Sequence, residues 1–543
     1  MKKSIVLKCV FILILYHIVE EVNTLNLFGL DTLTIDLPQG TVRGSFDLFR
    51  TQRMFLGIPY ATVTERFQVA GSPPTWNGTF TANQGNVMCN QYFSTLRQPI
   101  GQEDCLVLNI YTPPSRTNEL YPVIVFIHGG GFYFGSNSKL IYNPQFLVRE
   151  NVIVVTINYR LGAFGFLCLG IREAPGNVGL KDQLAALRWI QNNIAYFGGD
   201  PNSVTVFGES AGAVSINYFL LTNSTEGLFH RAIMDSGSVL MPQDFKYNPI
   251  ESASTVATRL GYNTLDPNEL LQIFRNSTAS DIVEASYADQ TNDAFSLYYF
   301  TPCVETAVAN ESESLITEEP TLIIKKPGLN VSVIIGFNDR EGIYWAQHYN
   351  YQTVEQVRAN FGSLIPNYLQ FESDVNRTTF IDGAINIYFS NRTVIDGLIE
   401  YFSDSLVFYP STVASESLTI NSSRSLYNFY FDYDSFRNLN KFLTRLRFTP
   451  GACHADELFY LFQPAVYAAL PATPNDAAII ATMTALWTSF AKTGIPSTST
   501  TTWTPSNQQL EFLEIGNEIQ MIPLPNQQRM EFWRETYEKY GRK

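Results

Sequence analysis

Four short runs of apolar residues, rich in valine and isoleucine, constrain the fold of this chain more than any other feature of its sequence. They span residues 123–127, 152–157, 204–207 and 331–336. Each run is continuous rather than alternating, which is typical of strands that are buried on both faces. Because such strands need helices above and below them, the sequence predicts an α/β fold with a sheet covered on both sides.

The segment between the second and third runs has a helical pattern. Residues 180–197 place leucine and isoleucine at helical spacing, and Gly198 and Gly199 follow and end the helix. A strand, a helix and a second strand in succession predict parallel strands joined by a right-handed crossover. A further strand is expected at residues 426–431.

The composition favours a large globular core and excludes one class of partner. The chain has 543 residues, 45% of them hydrophobic. At about 150 residues per domain its length suggests three or four domains, but no obvious linker divides it. We therefore expect one large domain over residues 25–543. The net charge of −14 argues against nucleic acid as a partner, because proteins that bind it usually carry a basic surface.

Residues 1–24 have the features of a signal peptide that is removed. Lys2 and Lys3 precede an apolar run at residues 9–19, which is too short for a transmembrane helix. Cleavage is expected within residues 20–25, and we expect no integral membrane segment elsewhere. The rest of the chain carries N-x-Ser/Thr sequons, typical of a secreted, extracellular glycoprotein. They begin at Asn77, Asn223, Asn276, Asn310, Asn330, Asn376, Asn391 and Asn421.

Five cysteines remain once Cys9 leaves with the leader, so at least one thiol is unpaired or pairs between chains. Cys89 and Cys105 lie a short distance apart in loop-like sequence and are the expected disulfide. Cys168 lies in an apolar run and is expected as a buried free thiol. With no C-x-x-C motif and no cluster of histidine and cysteine, we expect no metal site.

A Gly-Glu-Ser-Ala-Gly motif at residues 208–212 directly follows the third apolar run and precedes a segment that can continue as a helix. In this pattern the serine lies on a sharp turn between strand and helix, at the carboxyl edge of the sheet. Glycines on either side make room for that turn. Ser210 is therefore the candidate nucleophile.

A nucleophilic serine needs a base and an acid. Of five histidines, His454 is selected by elimination and by its position in a loop after the late strand at residues 426–431. Where serine lies on such a turn, the order along the chain is serine, acid, histidine. The acid is therefore expected after the fourth run, where Asp339 and Glu341 are both candidates.

Backbone N–H groups that could stabilise negative charge are expected at two places. His128 is followed by Gly129, Gly130 and Gly131, and a loop without side chains can direct its N–H groups at a developing oxyanion. Ala211, which follows the serine, supplies another N–H at the positive end of its helix.

These motifs resemble those of the cholinesterase-like (type-B) carboxylesterases, and in particular the secreted esterases of insects. The resemblance covers nearly the whole mature chain. It includes residues 55–61, 103–113, 128–132, 158–166, 176–201, 207–212, 236–238 and 451–462. It implies a single α/β-hydrolase domain, with a large, mostly parallel mixed sheet, helices on both faces and long loop insertions.

The resemblance also implies a role for individual residues. Ser210, Glu341 and His454 become the catalytic triad, with Glu341 preferred because the family has Glu directly before Gly. The oxyanion hole is then formed by Gly130, Gly131 and Ala211. Glu209 and Ser236 lie close to the triad, and Cys89–Cys105 matches the family's N-terminal disulfide. Arg43–Glu103 and Arg160–Asp182 are implied as structural ion pairs.

Departures from the family pattern narrow the substrate. Residues 90–104 contain Tyr92 and Phe93 but not the tryptophan with which cholinesterases hold a quaternary ammonium, which argues against choline esters. Juvenile hormone esterases typically have Gln before the nucleophile, whereas this chain has Glu209. We expect a hydrolase of small to medium apolar esters (xenobiotic, dietary or odorant/pheromone), acting as a monomer or homodimer without a cofactor. The alternatives are a juvenile-hormone-type esterase, an ester-sequestering protein and a non-catalytic adhesion protein.

Overall fold

The computed structural model describes residues 33–94, 96–115, 117–287, 299–305, 314–421, 424–468, 470, 472–507 and 509–542. The predicted leader and the sequon at Asn310 lie outside these residues. Among the described residues, no helix is both long enough and apolar enough to cross a membrane.

The strands are numbered here in chain order. They are β1 (Leu33–Leu37), β2 (Gly40–Phe46), β3 (Arg53–Pro59), β4 (Thr79–Thr81), β5 (Gln91–Phe93), β6 (Gln98–Ile100), β7 (Val107–Thr112), β8 (Tyr121–Ile127), β9 (Ile153–Ile157), β10 (Cys168–Ile171), β11 (Ala174–Pro175), β12 (Gly199–Glu209), β13 (Arg231–Asp235), β14 (Ser332–Asn338), β15 (Leu426–Phe431), β16 (Glu511–Ile515) and β17 (Ile519–Pro523).

The α-helices are numbered in the same way. They are α1 (Gln145–Val148), α2 (Gly162–Phe166), α3 (Val178–Asn193), α4 (Ala211–Leu220), α5 (Pro249–Arg259), α6 (Pro267–Asn276), α7 (Ala279–Ser286), α8 (Pro320–Ile323), α9 (Ile343–Ala346), α10 (Val354–Ala359), α11 (Asp374–Phe389), α12 (Val394–Phe402), α13 (Tyr409–Asn421), α14 (Leu439–Leu443), α15 (Pro474–Thr493) and α16 (Gln527–Tyr540). A π-helix, Ser403–Phe408, joins α12 to α13.

One large mixed sheet organises the molecule. Its strand order is β1-β2-β3-β7-β9-β8-β12-β13-β14-β15-β16-β17, and β4 pairs with β2. The neighbours from β9 to β16 are all parallel. Toward both ends of this order the neighbours are antiparallel, and β4 pairs with β2 in parallel. All four apolar runs lie in this parallel part, as β8, β9, β12 and β14. The predicted α/β fold is confirmed.

The central strands are buried on both faces, which explains their continuous apolar sequences. On β8, Val123 and Val125 belong to one apolar cluster, whereas Ile124 and Phe126 belong to the other. Helix α3 contributes to the first cluster and α15 to the second. The predicted helix at residues 180–197 corresponds to α3 followed by a 3-10 turn, Ile194–Phe197.

Two disulfides are present among the described residues. Cys89 pairs with Cys105, as expected, and Cys168 pairs with Cys303. The expectation of a free thiol at Cys168 is therefore wrong. Its partner is 135 residues away in the sequence, and only the packing of β10 against the segment 299–305 brings the two together. Cys453 is the free cysteine of the described residues, and it is buried.

The structure confirms one of the two implied ion pairs and corrects the other. Arg160 forms two bonds of 2.7 Å with Asp182, and both side chains are buried. Glu103, in contrast, binds Arg66 rather than Arg43, through contacts of 2.5 and 2.8 Å. The same guanidinium also donates to the carbonyl oxygen of Ser277, so it ties the N-terminal disulfide loop to the end of α6.

The described sequons lie mainly at the surface. Five of the asparagines are exposed and Asn376 is half-buried. The side chain of Asn421 lies outside the description. The exposed ones are Asn77, Asn223, Asn276, Asn330 and Asn391.

Candidate active site

Ser210 occupies the turn between β12 and α4. Its backbone has φ 55° and ψ −123°, a conformation that is costly for a residue with a side chain. The turn is tight because its flanking glycines pack closely. A Cβ on Gly208 would lie 2.4 Å from Gly212, and one on Gly212 would lie 2.1 Å from the carbonyl oxygen of Ile127. The glycines of the motif are therefore required by the geometry of the serine turn.

His454 and Glu341, which are 113 residues apart, meet at the carboxyl edge of the sheet. His454 Nδ1 lies 2.5 Å from Glu341 Oε2. The other oxygen of Glu341 accepts from Ser236 Oγ at 2.6 Å and from the backbone N–H of Asn338 at 2.8 Å. With the carboxylate held on both oxygens, the orientation of the imidazole is fixed.

Asp339, the other candidate acid, is used differently. Its Oδ1 accepts a hydrogen bond from the backbone N–H of Ala452 at 2.6 Å. Asp339 therefore helps to position the loop that carries His454. Burial raises the pKa of Asp339 to about 8. Sequence spacing left Asp339 and Glu341 open, and the structure brings Glu341 to the histidine.

Glu209 lies on the opposite side of the histidine ring. Its Oε1 is 3.2 Å from His454 Nε2. Burial raises the pKa of Glu209 to about 8, while the positive charge of His454 lowers it. Burial lowers the pKa of His454, but the carboxylates of Glu341 and Glu209 outweigh that effect and raise it to about 9. The imidazole therefore lies between two carboxyl groups.

The glycine loop after β8 approaches the serine closely. A Cβ on Gly129 would lie 2.8 Å from Ser210 Cβ. Gly130 has φ 105° and Gly131 φ 59°, and a Cβ on Gly130 would meet the carbonyl oxygen of Phe134 at 2.0 Å. Among the described residues, the N–H groups of Gly131 and Ala211 donate no hydrogen bond to protein. The loop can therefore offer donors beside the serine.

His128, which opens this loop, has a structural environment. Its ring stacks on Tyr159 at 4.6 Å between ring centroids, and its Nδ1 lies 2.8 Å from the Gly129 carbonyl oxygen. Burial lowers the pKa of His128 to about 4, so the ring is neutral at physiological pH.

Two aromatic side chains that sequence reasoning did not identify lie beside His454. Trp345 lies 4.8 Å and Tyr344 5.8 Å from the His454 ring, measured between centroids. Both belong to α9, which starts two residues after Glu341, so they are positioned by the same strand end. No sequence signal separates them from ordinary core aromatics.

A chain of ion pairs positions the loop 339–342, called here the acid loop after its acidic residues Asp339 and Glu341. Arg340 binds Glu400 at 2.6 Å, and the second oxygen of Glu400 binds Arg529 at 2.6 Å. Arg529 also binds the buried Asp404 at 2.6 Å. This Arg340–Asp404 network joins the residue next to Glu341, helix α12, the π-helix and the C-terminal helix α16.

Comparison with known proteins gives consistent results. The profile of the Carboxylesterase family matches residues 31–533. The juvenile hormone esterase of Tribolium castaneum is 32% identical over 496 residues, covering 84% of this chain and 83% of that protein. Esterase FE4 of Myzus persicae is 30% identical, covering 88% of this chain and 87% of its own length.

Solved structures agree with the fold. The juvenile hormone esterase of Manduca sexta, with OTFP covalently attached, superposes with a TM-score of 0.83 at 27% identity, over 94% of this chain and all of that chain. A PNB esterase superposes with a TM-score of 0.75 at 28% identity, over 92% and 100% of the two chains. The expected α/β-hydrolase fold is confirmed. The chain belongs to the carboxylesterase family and is a carboxylic ester hydrolase.

Proposed function

We propose that this enzyme is a secreted serine esterase that works through Ser210, His454 and Glu341 and forms an acyl-enzyme intermediate. The observation that carries the proposal is the 2.5 Å contact between His454 Nδ1 and Glu341 Oε2, at the sheet edge where Ser210 occupies its strained turn. A histidine held at Nδ1 by a carboxylate can use its other nitrogen, Nε2, as the base that activates a serine hydroxyl for acyl transfer.

In the first half of the reaction, Ser210 Oγ bonds to the carbonyl carbon of the ester and His454 Nε2 takes its proton. Glu341 Oε2 accepts a hydrogen bond from His454 Nδ1–H and stabilises the imidazolium that forms, without itself taking the proton. The C–O bond to the alcohol then breaks, and His454 returns the proton to the leaving oxygen. In the second half, water attacks the acyl-enzyme by the same route and releases the acid.

The oxyanion is stabilised by the backbone N–H groups of Gly130, Gly131 and Ala211. Gly130 and Gly131 both have positive φ angles, a backbone conformation that other residues adopt only with strain. This conformation supports their role in the oxyanion hole. One such donor typically stabilises the transition state by about 2.7–4 kcal/mol.

Small to medium apolar esters are the proposed substrates, since Trp345 and Tyr344 provide an apolar wall beside His454. A second candidate is a juvenile-hormone-type ester, because relatives that cover more than four-fifths of the chain bear that name. Glu209, in place of the Gln typical of those enzymes, makes it the less favoured of the two. Turnover of a juvenile hormone compared with a short-chain aryl ester distinguishes them.

The decisive test is the Ser210→Ala variant. Ester turnover should fall by several orders of magnitude while the protein stays folded. The matched control is Ser254→Ala, on helix α5 away from the site, which should keep the wild-type rate. Mass spectrometry after treatment with an organophosphate should find the adduct on Ser210. A folded wild-type protein that gains no adduct would favour an adhesion or sequestering role.

Secretion is tested separately. When the full chain is expressed in insect cells, the protein should be recovered from the medium with an N-terminus within residues 20–25, as the leader predicts. Treatment with a glycosidase should reduce its mass if the exposed sequons are used. Protein retained in the cells with its leader intact would contradict this part of the proposal.

A further inference from the structure

A groove with a volume of about 580 Å³ is lined by residues of α1, the N-terminal half of α15 and the segment that follows the His454 loop. Its wall is mostly apolar and aromatic, and it includes Phe146, Tyr467, Ala477, Ile480 and Ala481. None of the lining residues belongs to the proposed triad or to the glycine loop after β8. Because small-molecule sites have volumes of about 300–1,000 Å³, the groove is large enough to hold a ligand of its own.

Arg437 places a positive charge in this wall. Its side chain lines the groove and is only 4% exposed. The guanidinium forms no ion pair with a carboxylate among the residues that the structure describes. A buried arginine is almost always paired with an acid, because a buried charge without a counter-charge is costly. An anion bound in the groove would supply the missing counter-charge.

The protein binds two of the three guanidinium nitrogens of Arg437. Nε and Nη2 donate to the carbonyl oxygen of Phe459 at 3.3 and 2.8 Å, and Nη2 also donates to Gln463 Oε1 at 2.9 Å. The ring centroid of Tyr467 lies 4.8 Å from the guanidinium carbon, a cation–π contact. Nη1 donates no hydrogen bond to the described residues and is not enclosed by them, so it is the nitrogen that faces the groove.

The charges around the groove favour an anion. Asp476, in the first turn of α15, accepts hydrogen bonds from the Thr473 N–H at 3.1 Å and from Tyr433 Oη at 3.2 Å rather than from Arg437. Arg149 also lines the groove, is exposed, and forms no ion pair within the described part of the chain. The described lining therefore carries two cations and no acid, in a chain whose net charge is −14.

We propose that this surface, called here the Arg437 groove, binds an organic anion, namely a carboxylate with an apolar body. Nη1 of Arg437 donates to the carboxylate, Arg149 adds a second positive charge, and the apolar wall covers the hydrocarbon part of the ligand. Charge-assisted hydrogen bonds are about twice as strong as neutral ones, so the carboxylate is preferred to an alcohol with the same chain. The acids that a carboxylic ester hydrolase releases belong to this chemical class, and binding in the groove does not require the proposed triad.

The test is isothermal titration of the full-length enzyme with octanoate, with octan-1-ol and with acetate, all at the same ionic strength. Ala481→Trp places a large side chain in the groove, and Arg437→Met removes the charge. Ala478→Trp is the matched control, because Ala478 is also exposed on α15 but does not line the groove. Urea unfolding shows whether each variant is folded. Ala481→Trp changes an exposed helical residue, so it tests the site even if Arg437→Met does not fold.

Wild-type enzyme should bind octanoate at least about tenfold more tightly than octan-1-ol or acetate, because neither of these carries both the charge and the chain. Ala481→Trp and folded Arg437→Met should each raise the Kd for octanoate by about tenfold or more. Ala478→Trp should keep the wild-type Kd.

Three results would overturn the proposal. An unchanged Kd for octanoate in Ala481→Trp would mean that the anion binds elsewhere, for example beside Ser210. Equal affinity for octanoate and octan-1-ol would mean that the groove recognises only the apolar chain. The third is folded wild-type enzyme that binds no octanoate.

Discussion

Replacing Glu209 with glutamine should shift the pH dependence of the esterase without removing the proposed nucleophile Ser210, the proposed base His454 or the proposed acid Glu341. Glu209 Oε1 lies 3.2 Å from the nitrogen of His454 that takes the serine proton in the proposed mechanism. His454 acts as a base only when it is neutral, so activity appears as the pH rises through its pKa. Glu209 contributes to the raised pKa of that histidine. Glu209→Gln removes this charge, lowers the pKa and moves the acid limb of the profile to lower pH.

The distance sets the size of the effect. Two unit charges 3.2 Å apart interact by about 5 kcal/mol at an effective dielectric constant of about 20, which is an upper bound. An opposite charge this close usually changes a pKa by about 1–3, so we expect the acid limb to move down by about one to three pH units. Glu341 remains in place and continues to favour the protonated ring, so the histidine keeps part of its raised pKa.

The assay is the pH profile of kcat/KM on a neutral aryl ester, which reports the ionisation of the free enzyme. The rate at which an uncharged organophosphate labels Ser210 gives a second profile that does not depend on product release. Asp339→Asn is the matched control, because it changes a nearby buried carboxyl that bonds to Ala452 rather than to the histidine. An acid limb that stays in place, or that moves upward in Glu209→Gln, would refute the reasoning.

Four further variants test other parts of the structure. Ser236→Ala removes one hydrogen bond from the acid and should lower kcat/KM about tenfold, with the aryl ester as substrate. Arg160→Met leaves a buried carboxylate unpaired and should reduce the free energy of unfolding in urea by about 3–5 kcal/mol. Replacing both cysteines of the Cys168–Cys303 bridge by alanine should reduce the free energy of unfolding by about 5 kcal/mol in the same assay. The same replacement at Cys89 and Cys105 should reduce it by about 3 kcal/mol, because that bridge closes the shorter loop.

Local sequence patterns were sufficient to predict the central strands of the sheet. The fourth and last predicted strands lie within a residue or two of β14 and β15, because a strand buried on both faces must be apolar at every position. The position of Ser210 on a turn also followed from the motif, since only glycine fits beside it. Choosing Glu341 over Asp339 required the family resemblance, because residues two apart at a strand end are equally plausible by spacing.

Contacts between distant segments could not be predicted in this way. Cys168 lies in an apolar run that would bury a free thiol equally well, and its pairing with Cys303 depends on the path of a long loop. Arg66 rather than Arg43 reaches Glu103, because the choice depends on side-chain direction within a folded surface.

The Arg340–Asp404 network has a consequence for the order in which the enzyme can be made. Synthesis proceeds from the N-terminus, and the parallel strands can pair as they emerge. Arg529, however, belongs to α16, the final helix, and it is the cation that binds both Glu400 and Asp404 behind the acid loop. The charges that fix the acid loop are balanced only after this helix has been synthesised. A chain terminated before residue 529 would therefore lack the cation that pairs with Glu400 and Asp404.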